Sequence, residues 1–139
     1  MICLLTVWAF AVLSNVNEQL EVRVQLSMDL TEQASVVSPD LMLVTARSYA
    51  NRRPTAADTH LFVEVSDSSL KYDLGAKLAL YAEAEVVEYW VIDIPHRSII
   101  VHRDPADGRY RTVQSFDEHE TVQSASTPEI SLVLSTLFR

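Results

Sequence analysis

The chain has 139 residues, 48% hydrophobic and 22% charged, with 2 Gly and 5 Pro. That is the make-up of one packed globular domain spanning residues 1–139, and it excludes a disordered or fibrous chain. With 19 acidic against 11 basic residues and a formal net charge of −8, it also excludes a protein that holds nucleic acid by bulk electrostatics, leaving a local basic patch or a metal-bridged contact.

The first 13 residues carry no charged side chain. The span is too short for a membrane helix, and a signal peptide would need a positive start that is absent, although Ala9-Phe10-Ala11 loosely mimics a cleavage site. Leu4, Leu5, Trp8, Ala11, Val12, Val16 and Leu20 recur at helical spacing through that point, so an amphipathic core helix is expected here and no membrane anchor. A lone cysteine, Cys3, forms no intramolecular disulfide, and no Cys/His cluster has zinc spacing; a reducing, cytoplasmic setting is the default.

Glu21 to Leu26 then alternates polar and apolar, the period of a half-buried strand. Ser27 to Ser38 reads as a polar connection, Leu41 to Val44 as a second strand opened by Ser38-Pro39-Asp40, and Arg47 to Asp58 as a loop. Leu61 to Val65 is a third strand, continuous in Leu, Phe and Val except for Glu64. From Asp73, a plausible N-cap, the spacing of Leu74, Leu78, Tyr81 and Ala82 predicts a helix ending near Ala84. Tyr89 to Ile94, Ser98 to Arg103 and Tyr110 to Gln114 read as an antiparallel meander, with a strong turn at Asp104-Pro105-Ala106-Asp107-Gly108. Pro128 to Phe138 reads as a short closing helix. The order implies an α/β fold, a mixed central sheet flanked by helices, in which the strands at 61–65 and 89–94 run parallel as neighbours across a helical crossover.

Glu64 is the residue to explain. An ionised acid in the middle of L-F-V-E-V needs compensation, because an unpaired buried charge costs several kcal/mol. Asp40 opens another apolar strand, and adjacent strands would bring the two acids together. Two like charges at contact distance call for a cation between them, and an all-oxygen pair suits Mg²⁺ or Mn²⁺. Lys77, one turn into the following helix, supplies an ammonium that could serve an attacking water or a developing phosphate charge. The chain's other lysine, Lys71, lies in the preceding loop and is the weaker candidate.

Each residue also has an ordinary reading. Asp40 after Pro39 is by default a turn or capping residue, and Lys77 a helix-surface lysine. Asp73 reads as an N-cap and Asp93 as a structural strand-end acid. His60, His96, His102 and His119 have no ligand spacing and read as surface or hairpin residues, and no G-x-S-x-G, P-loop or H-E-x-x-H occurs.

S-P-D-L-M-L-V, L-F-V-E-V-S-D-S-S-L-K-Y-D-L-G-A-K-L-A-L-Y-A, E-Y-W-V-I-D and V-H-R-D-P-A-D-G-R-Y together resemble the Uma-two family of restriction endonucleases, within the PD-(D/E)XK nuclease superfamily. The resemblance runs from about Val22 to the C-terminus. It implies a restriction-endonuclease-like core in which Asp40 and Glu64 are metal ligands, the Val65 carbonyl is a further ligand, and the lysine sits in the following helix as Lys77 rather than two residues after the glutamate, where this chain has Ser66. Gln25 is similar to a family position near the site. The chain departs from the pattern in starting after a helix and an E-L-I-D-G-E type hairpin, which would leave apolar surface and sheet edge to cover.

The function implied is a Mg²⁺-dependent DNA endonuclease hydrolysing phosphodiester bonds, with Arg47, Arg52, Arg53 and Lys71 in loops flanking the acids as a positive rim. A homodimer or higher oligomer is expected, because restriction-like nucleases commonly act as pairs. The alternative is a non-catalytic partner-binding module that keeps the nuclease fold.

Overall fold

The computed structural model describes residues 4, 7–9, 19–30 and 35–138. Strands β1 (Leu20–Val24), β2 (Met28–Leu30), β3 (Ser35–Val37) and β4 (Leu41–Thr45) come first, then a 3-10 turn at Ala56–Asp58 and the long β5 (Thr59–Ser66). Helices α1 (Leu70–Asp73) and α2 (Ala76–Glu83) carry the chain across to β6 (Glu88–Asp93). The hairpin β7 (Ser98–Ala106) and β8 (Arg109–Asp117) follows, then β9 (Thr121–Gln123), β10 (Ser131–Val133) and a 3-10 turn at Leu134–Thr136.

Among the described residues, six strands form one mixed sheet in the order β1-β4-β5-β6-β7-β8. β5 and β6 pair parallel and every other neighbour pair runs antiparallel, as the strand-helix-strand order across 61–94 requires. β5 is third of the six. Its apolar run is continuous because both faces are covered. On one face Met42, Phe62 and Val91 meet Tyr81 and Ala82 of α2 and Met28 and Leu30 of the β2–β3 hairpin. On the other, Leu43, Val63, Trp90 and Ile92 meet Ala9, Leu132 and Phe138.

Aromatic rings fix α2 to the sheet. Tyr81 lies edge-on to Phe62 and to Tyr89, with centroids 4.9 and 5.0 Å apart, an arrangement worth about 0.5–1.5 kcal/mol per pair beyond burial. The helix ends at Glu83 with Ala84 as its C-cap, close to the end its periodicity predicts, through a Schellman closure. The Glu85 N–H donates to the Ala82 carbonyl and the Val86 N–H to the Tyr81 carbonyl, with Glu85 at φ 62° where glycine is usual. At the β7–β8 hairpin, Asp107 and Gly108 both take positive φ, 54° and 77°, as a type I′ turn demands. β7 itself continues through Asp104 and Pro105 to Ala106, so the turn is shorter than the sequence suggests.

Several local expectations are corrected. Leu4 and residues 7–9 are helical and Ala9 is buried, but Leu20 opens β1 instead of continuing a helix; Leu5, Ala11, Val12 and Val16 lie outside the described residues. The supposed polar connection at 27–38 contains the β2–β3 hairpin, because Met28 and Leu30 reach the core. The helix expected from Asp73 to Ala84 is broken at Leu74-Gly75, and Asp73 ends α1 rather than capping anything. The expected closing helix is β10 and a 3-10 turn, since Leu132 pairs with Val122 of β9 to bury its side chain. Among the described residues no helix is long and apolar enough to cross a membrane.

Candidate active site

The register of β4 against β5, Leu41 opposite Val63 and Met42 opposite Phe62, sets Asp40 beside Glu64 at one end of the sheet. Main-chain donors hold the two acids reciprocally. The Asp40 N–H donates to Glu64 Oε1 at 2.8 Å, and the Val65 N–H donates to Asp40 Oδ2 at 2.8 Å. The arrangement suits two like charges, because each carboxylate gains an N–H partner that offsets the repulsion. The Gln25 N–H, at φ 52° just beyond β1, donates to the Asp40 carbonyl at 3.1 Å and closes the third side.

Glu64 is 1% exposed and points to the helical face of the sheet, where its Oε2 accepts a hydrogen bond from Lys77 Nζ. Lys77 stands at the start of α2, half-buried, and also lies 3.2 Å from Asp73 Oδ1. Asp73 is itself buried. Its Oδ2 accepts from Ser69 Oγ at 2.7 Å and from Ser66 Oγ, and its carbonyl accepts from the Tyr89 hydroxyl at 3.0 Å. Two carboxylates therefore meet one ammonium, and with the Asp40 carboxylate beside Glu64 the local balance still favours a further cation.

Burial pushes the Glu64 carboxyl above its ordinary value, and the Lys77 and Asp40 hydrogen bonds offset only part of that. Burial works against the charge on Lys77 too, but contact with Glu64 and Asp73 outweighs it and holds the ammonium above its usual range. Lys77 is accordingly a cation at neutral pH. The donor set fits a hard divalent ion: Asp40 is half-exposed, no described residue donates to its Oδ1, and the atoms on offer are oxygens. Among the described residues, no group of three or more His, Cys, Asp or Glu forms a ready-made cage, so main-chain oxygen, water or substrate would complete the coordination.

The other candidates lie apart. β4 spans about 16 Å at roughly 3.3 Å per residue, and Arg47, Arg52 and Arg53 follow its far end. They do not flank the acids. Arg52 and Arg47 reach Asp58 at 2.9 and 3.6 Å, and Arg53 reaches Asp29 at 3.5 Å, so antiparallel pairing puts the arginine group at the opposite end of the strands from Asp40. Lys71 is exposed on α1, the helix that follows the end of β5 carrying Glu64. Asp93 ends β6 and binds His96 Nδ1 at 2.8 Å, a turn-closing role. His102 lies on the β7–β8 hairpin, as expected, but not at the surface: it is 2% exposed, stacked on Tyr89 with centroids 5.5 Å apart.

Sequence reading missed Asp73, Ser66 and Ser69. The signal available was the four-residue spacing Ser69, Asp73, Lys77, which in an unbroken helix would stack them along one side.

The family Uma2, described as "Putative restriction endonuclease", matches residues 3–135. No curated protein matches the chain. Among solved structures it is similar to the crystal structure of a "putative nuclease" from Anabaena variabilis, with a TM-score of 0.77 and 15% identity over 99% of this chain and 77% of that one. At that identity the likeness is one of fold.

Proposed function

The chain belongs to the Uma2 family, and from that premise we propose that it is a metal-dependent endonuclease that hydrolyses phosphodiester bonds in DNA, working as a homodimer or higher oligomer. The observation that carries the reading is the Asp40–Glu64 carboxylate pair at the open end of the sheet, with the Lys77 ammonium against it. Asp40, Glu64 and the Val65 carbonyl would hold Mg²⁺ or Mn²⁺. Such an ion, when bound, supplies Lewis-acid polarisation of a phosphate and a more acidic water.

The protein's own groups do the rest. Asp40 and Glu64 are held side by side by main-chain N–H donors, so the two carboxylates are already paired before any ion arrives. Lys77, charged at neutral pH, orients the attacking water and stabilises negative charge developing on the phosphate; it does not take the proton. Lys71, exposed on α1, is the rim residue placed to meet the DNA backbone on this side.

Plasmid cleavage with Mg²⁺ or Mn²⁺ tests this. Glu64→Gln and Lys77→Ala should each lower kcat by at least about 10²-fold, the scale of one metal or electrostatic contribution, with circular dichroism unchanged. Cleavage that survives Glu64→Gln removes the residue from the mechanism. A folded wild-type protein that binds no Mn²⁺ by calorimetry and cuts no DNA would leave the non-catalytic module standing instead.

A further inference from the structure

Lys77 is shared between two carboxylates, and only one of them belongs to the candidate metal pair. Asp73 supplies the other, with Oδ1 3.2 Å from Nζ. It is 1% exposed, and Ser66 and Ser69 both donate to its Oδ2 while the Tyr89 hydroxyl donates to its carbonyl. A carboxylate clamped at one oxygen by two hydroxyls has its second oxygen aimed. Nor is this an ordinary pair along one helix surface: Asp73 ends α1, Lys77 lies in α2, and the contact crosses the break at Leu74-Gly75.

The consequence concerns what happens when Glu64 turns its oxygens to a cation, which rests on the reading of Asp40 and Glu64 given above. A divalent ion then competes with Lys77 for Glu64 Oε2. A lysine stem is flexible, and an exposed ring, Tyr72, already lies 5.4 Å from Nζ as an alternative resting place. Without a second anchor the ammonium would leave the site as the metal arrives. We propose that Asp73, clamped by Ser66 and Ser69, is the positioning residue that keeps the Lys77 ammonium at the carboxylate pair while Glu64 serves the metal.

The test needs no DNA. Lys71 and Lys77 are the chain's two lysines, so amine acylation read by peptide mass spectrometry compares Lys77 with exposed Lys71 in the same sample. With or without Mn²⁺, Lys77 of the wild type and of Glu64→Gln should label slowly. In Asp73→Asn its rate should rise about tenfold toward that of Lys71, because the fixed counter-charge is gone. Unchanged labelling in Asp73→Asn, or Lys77 freed by Glu64→Gln alone, overturns the proposal. If Asp73→Asn does not fold, Ser69→Ala takes its place, with about threefold faster labelling expected for one lost donor and none overturning it. Cleavage separates this from the broader reading: active wild type with an unprotected Lys77 sinks the positioning role alone, whereas protected Lys77 in a protein that cuts nothing sinks the nuclease reading alone.

Discussion

Glu64 occupies a place in β5 between two apolar neighbours, buried Val63 and half-buried Val65. Stability alone would favour a hydrophobe there, since a buried ion pair rarely outdoes well-packed apolar side chains. The acid makes sense through what its two oxygens meet, Asp40 and Lys77. His102 is the contrasting buried titratable group. It is enclosed by Tyr89 and Tyr110, with Nδ1 3.1 Å from the Tyr89 carbonyl, and burial lowers its pKa from 6.5 although that hydrogen bond opposes the shift. The unfolded imidazole takes up a proton near 6.5 and the folded one only at lower pH, so the unfolded state binds more protons below 6.5. The His102 contribution is thus intact above 6.5 and is lost as pH falls through the folded value. Urea midpoints measured between about pH 7.5 and about pH 5.5 should fall, and His102→Gln should flatten that slope. An identical slope in the variant would assign the pH dependence elsewhere.

Among the elements, the break between α1 and α2 matters most to the site. Gly75 is required there by close approach: a Cβ would sit 2.7 Å from the Lys71 carbonyl oxygen. The break lets Asp73 turn inward to Ser66 and Ser69 while α2 restarts in time to point Lys77 at Glu64. Gly75→Ala should therefore cost about 1–3 kcal/mol, the usual scale for forcing extra volume into a filled space. It should also lower cleavage at a temperature where the variant is fully folded, because Lys77 lies two residues downstream. Thermal melts by circular dichroism and plasmid cleavage check the two effects; a variant unchanged in both would show that the junction absorbs a methyl group.

For the whole molecule the question is how a chain of net charge −8 would hold a polyanion. Arg47, Arg52 and Arg53 are partly neutralised by Asp58 and Asp29, so they form no free basic field beside the acids. DNA binding should then depend on a divalent ion bridging carboxylates and phosphate. Fluorescence anisotropy should show affinity for a short duplex at least about tenfold weaker in EDTA than in Ca²⁺, the difference one bridging cation would make. Equal binding in EDTA would shift the DNA contact to the arginine end of the strands.

Read from the chain alone, the β5-helix-β6 crossover, the end of α2 near Ala84 and an acid out of place in an apolar strand were all legible, because hydrophobic period, turn chemistry and the cost of a buried charge act within a few residues of one another. So was the pairing of Asp40 with Glu64, since one acid opens an apolar strand and the other sits within the next, and neighbouring strands bring such positions together. Which end of those strands a loop reaches was not: antiparallel pairing sends Arg47 away from Asp40 although only seven residues separate them. The inward turn of Asp73, the burial of His102 between two tyrosines and the hairpin hidden at 28–37 were likewise settled by packing. Each depends on partners distant in sequence, and only the closed sheet with both faces covered says which segments those partners are.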